Sequence, residues 1–286
     1  MQKARLGKTE LTISPVTFGG IIVMDETPET AARYVAQAVD RGINYFDVAP
    51  SYGNAEERLG PALAPYRKGI CLACKTQERD GAPAKKELLA SLEHLQTDYF
   101  DVYQLHAMTT QEDIDRAFAE DGALSVALWA KKEGLVRNIG FSTHNEDVAM
   151  RTLERYDFDT VLFPMYWAMG INLGWGDRIA EAAKARDMGL LAMKTLIHRA
   201  WMDGDDRSTF PKSWCKPISG NDALGVAGMK YGLSKGATTL IPPGNWESFF
   251  FMLEHIDEAM APLTEAEGAL LREEARAVQA YPIFTP

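Results

Sequence analysis

Short β-rich runs alternate with longer amphipathic stretches along this chain. "VTFGG" (16–20), "NYFDV" (44–48), "GICLACK" (69–75), "DVYQLH" (101–106), "VRNIGFS" (136–142), "TVLFP" (160–164), "LLAMK" (190–194) and "TTLIP" (238–242) each carry the apolar, β-branched or aromatic content of a strand. Between them, "PAKKELLASLEHLQ" repeats Leu88, Leu92 and Leu95 at helical spacing, and "GDRIAEAAKARDMG" runs to a glycine stop. "PETAARYVAQAVDRG", "NEDVAMRTLERY", "NDALGVAGMKYGLSKG" and "WESFFFMLEHIDEAM" read the same way. Strand–helix alternation repeated eight times implies parallel strands joined by crossovers, and that is the number that closes a (β/α)₈ TIM barrel. An open doubly wound sheet would advertise a G-x-G-x-x-G turn after its first strand, and the chain has none there.

Two pieces fall outside the repeats. "ARLGKTELTIS" places a Gly-Lys turn between two short alternating runs, which predicts an N-terminal β-hairpin closing the bottom of the barrel. "LTEAEGALLREEARAVQAYP" opens with Thr264 and has Glu267 three residues later, a capping box that predicts an added C-terminal helix. Segment 195–222 is a long Gly/Asp/Pro/Trp-bearing excursion after the seventh strand, and in a barrel such loops crown the face where chemistry happens. No linker or low-complexity tract divides residues 1–286, so one barrel domain is expected.

Composition narrows the class. With 46% hydrophobic and 24% charged residues, the chain has the balance of a soluble globular α/β protein. A net charge of −10 without a Lys/Arg cluster argues against nucleic-acid or anionic-membrane partners. No apolar run approaches the ~18–20 residues of a membrane span, and "MQKARLGKTE" lacks a secretory apolar core, so a cytoplasmic location is expected. Cys71 and Cys74 form a nominal C-x-x-C, but side chains three apart on a strand point to opposite faces, a poor dithiol or metal site. No His/Cys/carboxylate grouping has metal-ligand spacing.

Active-site groups of a parallel barrel project from the C-terminal ends of its strands. Here those ends carry Asp47, Lys75, His106, Ser142 and Lys194, and a loop tyrosine, Tyr52, follows Asp47 closely. An acid buried at a strand end needs a cation, and Lys75 on the neighbouring strand supplies one. A phenol is protonated at neutral pH, and an adjacent ammonium favours the phenolate it leaves on donating, so Tyr52 is a candidate general acid. His106 is placed to hydrogen-bond a carbonyl oxygen or the phenol.

"NYFDVAPSYGNAEERLG", followed in order by "LACKT", "YQLH" and "NIGFST", closely resembles the aldo-keto reductases, and "LGKTELTISPVTFGG" is similar to that family's hairpin and first strand. The resemblance implies an oxidoreductase that moves a hydride between NADP(H) or NAD(H) and a small-molecule aldehyde, ketone or alcohol, sugar-like compounds being within the family's range, with Tyr52 as proton donor tuned by Lys75 and Asp47 and with His106 positioning the carbonyl. It also implies a cofactor site. Ser142 matches the serine that holds the carboxamide, Thr143 stands where many members have asparagine, and Phe163 replaces an expected glutamine. Met193 falls where relatives stack an aromatic, Lys194 follows it, and Gly244 and Asn245 belong to the turn after the eighth strand. Members that favour NADPH carry Lys or Arg there for the 2′-phosphate; "IPPGNWESFFFMLE" carries none, leaving Arg199, Arg207 or Lys212 of the long loop to compensate.

Plainer readings stand beside these. Asp47 and Lys75 taken singly read equally as a structural ion pair, Ser142 as a loop-bonding serine, and Met193 and Phe163 as barrel core. Met24, Trp167 and Trp201 are candidate walls of a substrate pocket, while Trp167, Trp175, Trp201 and Trp214 read equally as pins of long loops. Three rival functions remain open: an epimerase or lyase that retains NAD(H) and oxidises transiently, a regulatory binding subunit built on the same barrel, and a Schiff-base lyase using Lys75 or Lys194. Substrate identity and oligomeric state are not legible.

Overall fold

The computed structural model describes residues 1–284. Its centre is an eight-stranded parallel sheet: β3 (Phe18–Gly19), β4 (Tyr45–Asp47), β5 (Cys71–Thr76), β6 (Phe100–Leu105), β7 (Val136–Ser142), β8 (Thr160–Pro164), β9 (Gly189–Met193) and β12 (Thr239–Ile241). The strands neighbour one another in chain order, and a Val16–Leu240 bridge joins the last strand to the segment leading into the first. Two backbone hydrogen bonds hold that join, Thr17 N–H to Leu240 O and Leu240 N–H to Pro15 O, each 2.9 Å. This is the (β/α)₈ barrel the alternation predicts.

A hairpin of β1 (Ala4–Arg5) and β2 (Thr12–Ile13) precedes the barrel. It drives Leu6 and Ile13 into the lower barrel interior, where they meet Tyr45, Ala73, Val102, Leu162 and Leu191 in one buried cluster. The turn demands glycine: Gly7 has φ +51°, and a Cβ on it would lie 2.1 Å from the Gly189 nitrogen.

The outer layer contains α1 (Pro28–Asp40), α2 (Ala55–Leu63), α3 (Gly81–His94), α4 (Gln111–Ala117), α5 (Ala123–Lys132), α6 (Glu146–Arg155), α7 (Trp167–Leu173), α8 (Asp177–Ala185), α9 (Asp222–Ser234), α10 (Trp246–Ala259) and α11 (Glu265–Ala277). Local chemistry sets their starts. Thr27 caps α1 ahead of Pro28, and Thr264 with Glu267 forms the expected capping box of α11. Helix α1 buries an apolar stripe of Ala31, Val35 and Ala38.

Strand faces alternate as the pleat requires. Cys71 packs against the lower interior cluster, while Cys74 faces the helices beside Glu56, and both are free thiols. The first strand is shorter than the predicted 16–20, because the chain turns into a 3₁₀ segment at Gly20–Val23 as it leaves β3. The excursion at 195–222 is built rather than slack. Strands β10 (Ile197–Arg199) and β11 (Lys216–Pro217) pair antiparallel at its base, Arg199 is bidentate on Asp205, and Trp201 donates to Ser213 O at 2.9 Å.

Because the hairpin turn is packed against β9 without room for a side chain, Gly7→Ala is expected to cost about 1–3 kcal/mol. The check is the denaturant midpoint; an unchanged value would mean that the hairpin does not brace the barrel floor.

Candidate active site

Strand register brings the candidate residues together at the C-terminal rim. Asp47 pairs with Ala73 across β4 and β5, so Lys75, two residues on, projects from the same face; Lys75 in turn pairs with Gln104 across β5 and β6. Asp47 and Lys75 are both buried, and the Lys75 ammonium donates to Asp47 Oδ2 and to Val48 O, the latter at 3.2 Å. Gln104 Nε2 donates to Asp47 Oδ1 at 3.0 Å, giving each carboxylate oxygen a donor. Sequence reading missed Gln104. Its signal is its place in β6, the penultimate position, paired with Lys75 and facing inward like it.

Tyr52 stands over this pair on the turn that follows β4, where its N–H bonds Ala49 O at 3.0 Å. The Lys75 amine lies 5.1 Å from its ring centroid, and the His106 ring lies 6.0 Å away, edge on. Burial lowers the lysine's proton affinity, but the Asp47 carboxylate and Tyr52 outweigh it, and the ammonium is held above its ordinary value. Burial raises the Tyr52 phenol more than the Lys75 ammonium lowers it. The phenol therefore stays protonated through neutral pH, poised as an acid rather than ionised.

His106 is fixed by backbone. Its N–H donates to Thr76 O at 2.8 Å, and its carbonyl accepts from Arg79 at 2.8 Å. Ala107 behind it takes a left-handed φ of 52°, held by an N–H donated to Ser142 Oγ at 2.8 Å. Burial, with Lys75, His144 and Arg79 nearby, pushes the His106 imidazole down to about 3, so it is neutral at physiological pH. Its Nδ1 has no hydrogen-bond partner among the described residues.

Beside these groups opens a cleft lined by Gly19, Ile21, Asp47, Tyr52, Leu162, Met193, Lys194, Ile197, Lys212, Ser213, Trp214 and the stretch Ile241–Gly244. Met193, Lys194 and Gly244 thus line it as sequence-predicted residues. Ser142 sits behind His106, and Asn245 is buried next to Gly244 with Oδ1 unpartnered among the described residues. Others lie apart from the lining. Phe163 points outward on β8 and stacks at 5.9 Å on Trp175, while its neighbour Leu162 faces the cleft, the consequence of strand alternation. Thr143 caps the loop into α6 through Asn145. Trp167 is fully buried and donates to Ile197 O at 3.1 Å, pinning the loop after β9. Trp201 braces Ser213, and Met24 packs against Gly53 beside Tyr52. The tryptophan that reaches the cleft is Trp214, 6.2 Å ring to ring from Tyr52 and 66% exposed.

The three loop cations differ. Arg199 is committed to Asp205, and Arg207 lies 5.3 Å from the Trp201 ring centroid. Lys212 lines the cleft, but its amine is held by Glu26 at 2.7 Å and Ile22 O at 2.9 Å. Among the described residues, no group of three or more His, Cys, Asp or Glu side chains is placed to hold a metal ion.

The barrel carries its polar cluster and adjoining cleft at the C-terminal rim, the face where parallel barrels place their active sites. The profile of the Aldo/keto reductase family matches residues 15–213, and the chain belongs to that family. It is 31% identical over 176 residues to the uncharacterized oxidoreductase YqkF of Bacillus subtilis, covering 57% of this chain and 55% of that one. It is 28% identical over 207 residues to L-galactose dehydrogenase of Arabidopsis thaliana, covering 67% and 64%. The chain spans just over half of the length of the first of these and under two thirds of the second. Among solved structures, the holo form of an aldo-keto reductase from Bacillus halodurans superposes with a TM-score of 0.73 at 21% identity, covering 97% of this chain and 96% of that one. That likeness bears on the fold.

The two half-buried histidines give a pH signature. The unfolded imidazole titrates near 6.5, whereas in the fold His106 titrates at about 3 and His144 at about 4, the latter through burial and Lys194. Between those values the unfolded chain binds protons that the native state refuses, so stability falls as pH drops from 6.5. Unfolding free energy measured from pH 7 to 4 is expected to decline less steeply in His106→Gln than in the wild type; parallel curves would contradict the burial of a neutral imidazole.

Proposed function

We propose that this chain interconverts a carbonyl compound and its alcohol with a nicotinamide cofactor, Tyr52 supplying or taking the proton. The observation that carries the reading is the phenol of Tyr52 held beside the Lys75 ammonium and the His106 ring at the edge of the cleft. A bound reduced nicotinamide supplies the hydride. The protein's part is the proton and its setting. Tyr52 donates its O–H proton to the substrate oxygen, and the negative charge left on the phenolate faces the Lys75 ammonium, which the buried Asp47 keeps charged. Neutral His106 donates a ring N–H to the same oxygen and fixes its orientation. In the alcohol direction, the phenolate takes the proton back.

Residues in and behind the cleft suit such a cofactor. Met193 offers a polarizable thioether as a cover for the nicotinamide face, and Ser142 retains a hydroxyl hydrogen after accepting from Ala107. The turn Pro242–Asn245 leads into the N-terminus of α10, where the Asn245 Oδ1 lacks a partner among the described residues. Gly244 lets the turn close: a Cβ there would fall 2.6 Å from Ile21 and 2.7 Å from Lys212 O. The turn has no cation, and Lys212 is already paired, so the arrangement favours NAD(H) at least equally with NADP(H). The likeness to L-galactose dehydrogenase supports a sugar-like alcohol or aldehyde among the substrates.

Tyr52→Phe is expected to reduce turnover by about 10²–10⁴-fold while cofactor binding persists. Stopped-flow rates with fluorescence titration of the same variant test this, and near-normal turnover would refute the proton role. Titrating the wild type with NADH and NADPH at one ionic strength checks the cofactor reading, which fails if NADPH binds more than about tenfold tighter, a margin of one charge-assisted phosphate contact.

A further inference from the structure

An arginine outside the cleft lining reaches the turn that carries His106. Arg79 lies in the loop after β5, and only 15% of its side chain is exposed. Every nitrogen of its fork has a partner: Nε donates to Asp113 Oδ1 at 2.8 Å, Nη1 to Gln77 O at 3.0 Å, and Nη2 to His106 O at 2.8 Å and Ala107 O at 3.0 Å. The acceptors of Nη2 are successive carbonyls of one turn.

On an extended strand successive carbonyls point opposite ways. Ala107 breaks that alternation with its left-handed φ of 52°, which a residue with a Cβ holds at a cost, and both carbonyls come to face one donor nitrogen. Carbonyl dipoles turned to the same side repel unless a donor stands between them, and a planar, permanently charged fork meets that need better than an ammonium. From the other side Ser142 accepts the Ala107 N–H on its Oγ and the Met108 N–H on its carbonyl, each at 2.8 Å. The turn is thus gripped by its carbonyls from the loop after β5 and by its N–H groups from the end of β7. His106 depends on that grip. Its Nδ1 has no partner among the described residues, so no hydrogen bond at that atom aims the imidazole, and the backbone sets its direction.

The clamp has its own anchor. Asp113 closes the capping box of α4 with Thr110, and its Oδ2 accepts the N–H groups of Thr109 and Thr110 at 2.9 Å each, leaving Oδ1 to Arg79. Partial burial opposes the charge of that carboxylate, but the bonds from Thr109 and the Arg79 guanidinium hold it well below the usual range. We propose that Arg79 is a positioning residue of the reaction: through its paired bonds to His106 O and Ala107 O it holds the imidazole in line with the substrate oxygen, with Asp113 keeping the fork in place. The inference rests on the reductase reading above and gives it a residue that touches neither substrate nor cofactor.

A double-mutant cycle of Arg79→Met and His106→Gln tests this. Its readouts are kcat/KM at saturating reduced cofactor, for the best substrate in a panel of aldehydes and ketones, and the Kd of NADH or NADPH for each variant. Arg79→Met alone is expected to lower kcat/KM by on the order of tenfold to a hundredfold, the scale of a misaimed reacting group, with Kd unchanged within about twofold. In the His106→Gln background the same change should cost less than about threefold, because the ring it aims is gone. Arg79→Lys keeps the charge without the fork and should fall between; it takes the methionine variant's place in the cycle if that one does not fold. Equal losses in both backgrounds overturn the proposal and leave Arg79 a brace of the fold. So does an undiminished kcat/KM in Arg79→Met, or a loss matched by an equal rise in the cofactor Kd. If the wild type reduces no member of the panel, the reductase reading itself fails and the proposal with it, an outcome that none of the cycle results can imitate.

Discussion

The buried contact between Asp47 and Lys75 is the constraint around which the rim is arranged. Desolvating two opposite charges costs several kcal/mol per ion, and attraction recovers this only when the remaining lone pairs and protons are also satisfied. Gln104 and Val48 O each supply one such partner, and the Lys75 ammonium is held above its ordinary value. The consequence reaches Tyr52: an ammonium that cannot easily lose its proton is a fixed positive field beneath the phenol. The same field adds to burial, the larger influence, in keeping His106 neutral, while at Tyr52 burial outweighs it and the phenol stays protonated.

Much of this was readable before any coordinates. The alternation of strand and helix specified the barrel because its period is local, and polar residues at strand ends converged because parallel strands share one rim. Asp47, Lys75, His106 and Tyr52 were legible on that ground. What failed to show were features set by pleat and by distant packing. Phe163 and Leu162 are adjacent in the chain and equally apolar, yet only register decides which one faces the cleft. Trp167 and Trp214 are chemically identical; the first is buried by the close approach of Gly228, and the second is left over the mouth by a loop whose path depends on the Arg199–Asp205 pair. Gln104 escaped notice because a lone amide inside a strand reads as ordinary. Helices α2, α4, α5 and α7 carry no assignment from the sequence, their runs too short or their apolar residues too dense or too few to show a period.

The loop after β9 contributes most of what distinguishes this cleft. It brings Lys212, Ser213 and Trp214 over the strand ends and ties back to the first βα turn through Lys212 and Glu26. Its walls are largely apolar while its titratable groups are few and specifically placed. A ligand entering it exchanges water for an indole face, a thioether and a small number of polar contacts, the balance by which orientation is selected more than bulk affinity.

The join between β12 and the approach to β3 deserves a dynamic reading. It is the most sparsely bonded seam of the barrel: β3 and β12 are among its shortest strands, and a lone bridge closes the circle. The cleft lies directly above this seam, between Gly19 and Ile241. Opening fluctuations concentrate where cooperative ladder bonds are fewest. By that rule the barrel's weakest ladder lies at the same rim where the cleft opens.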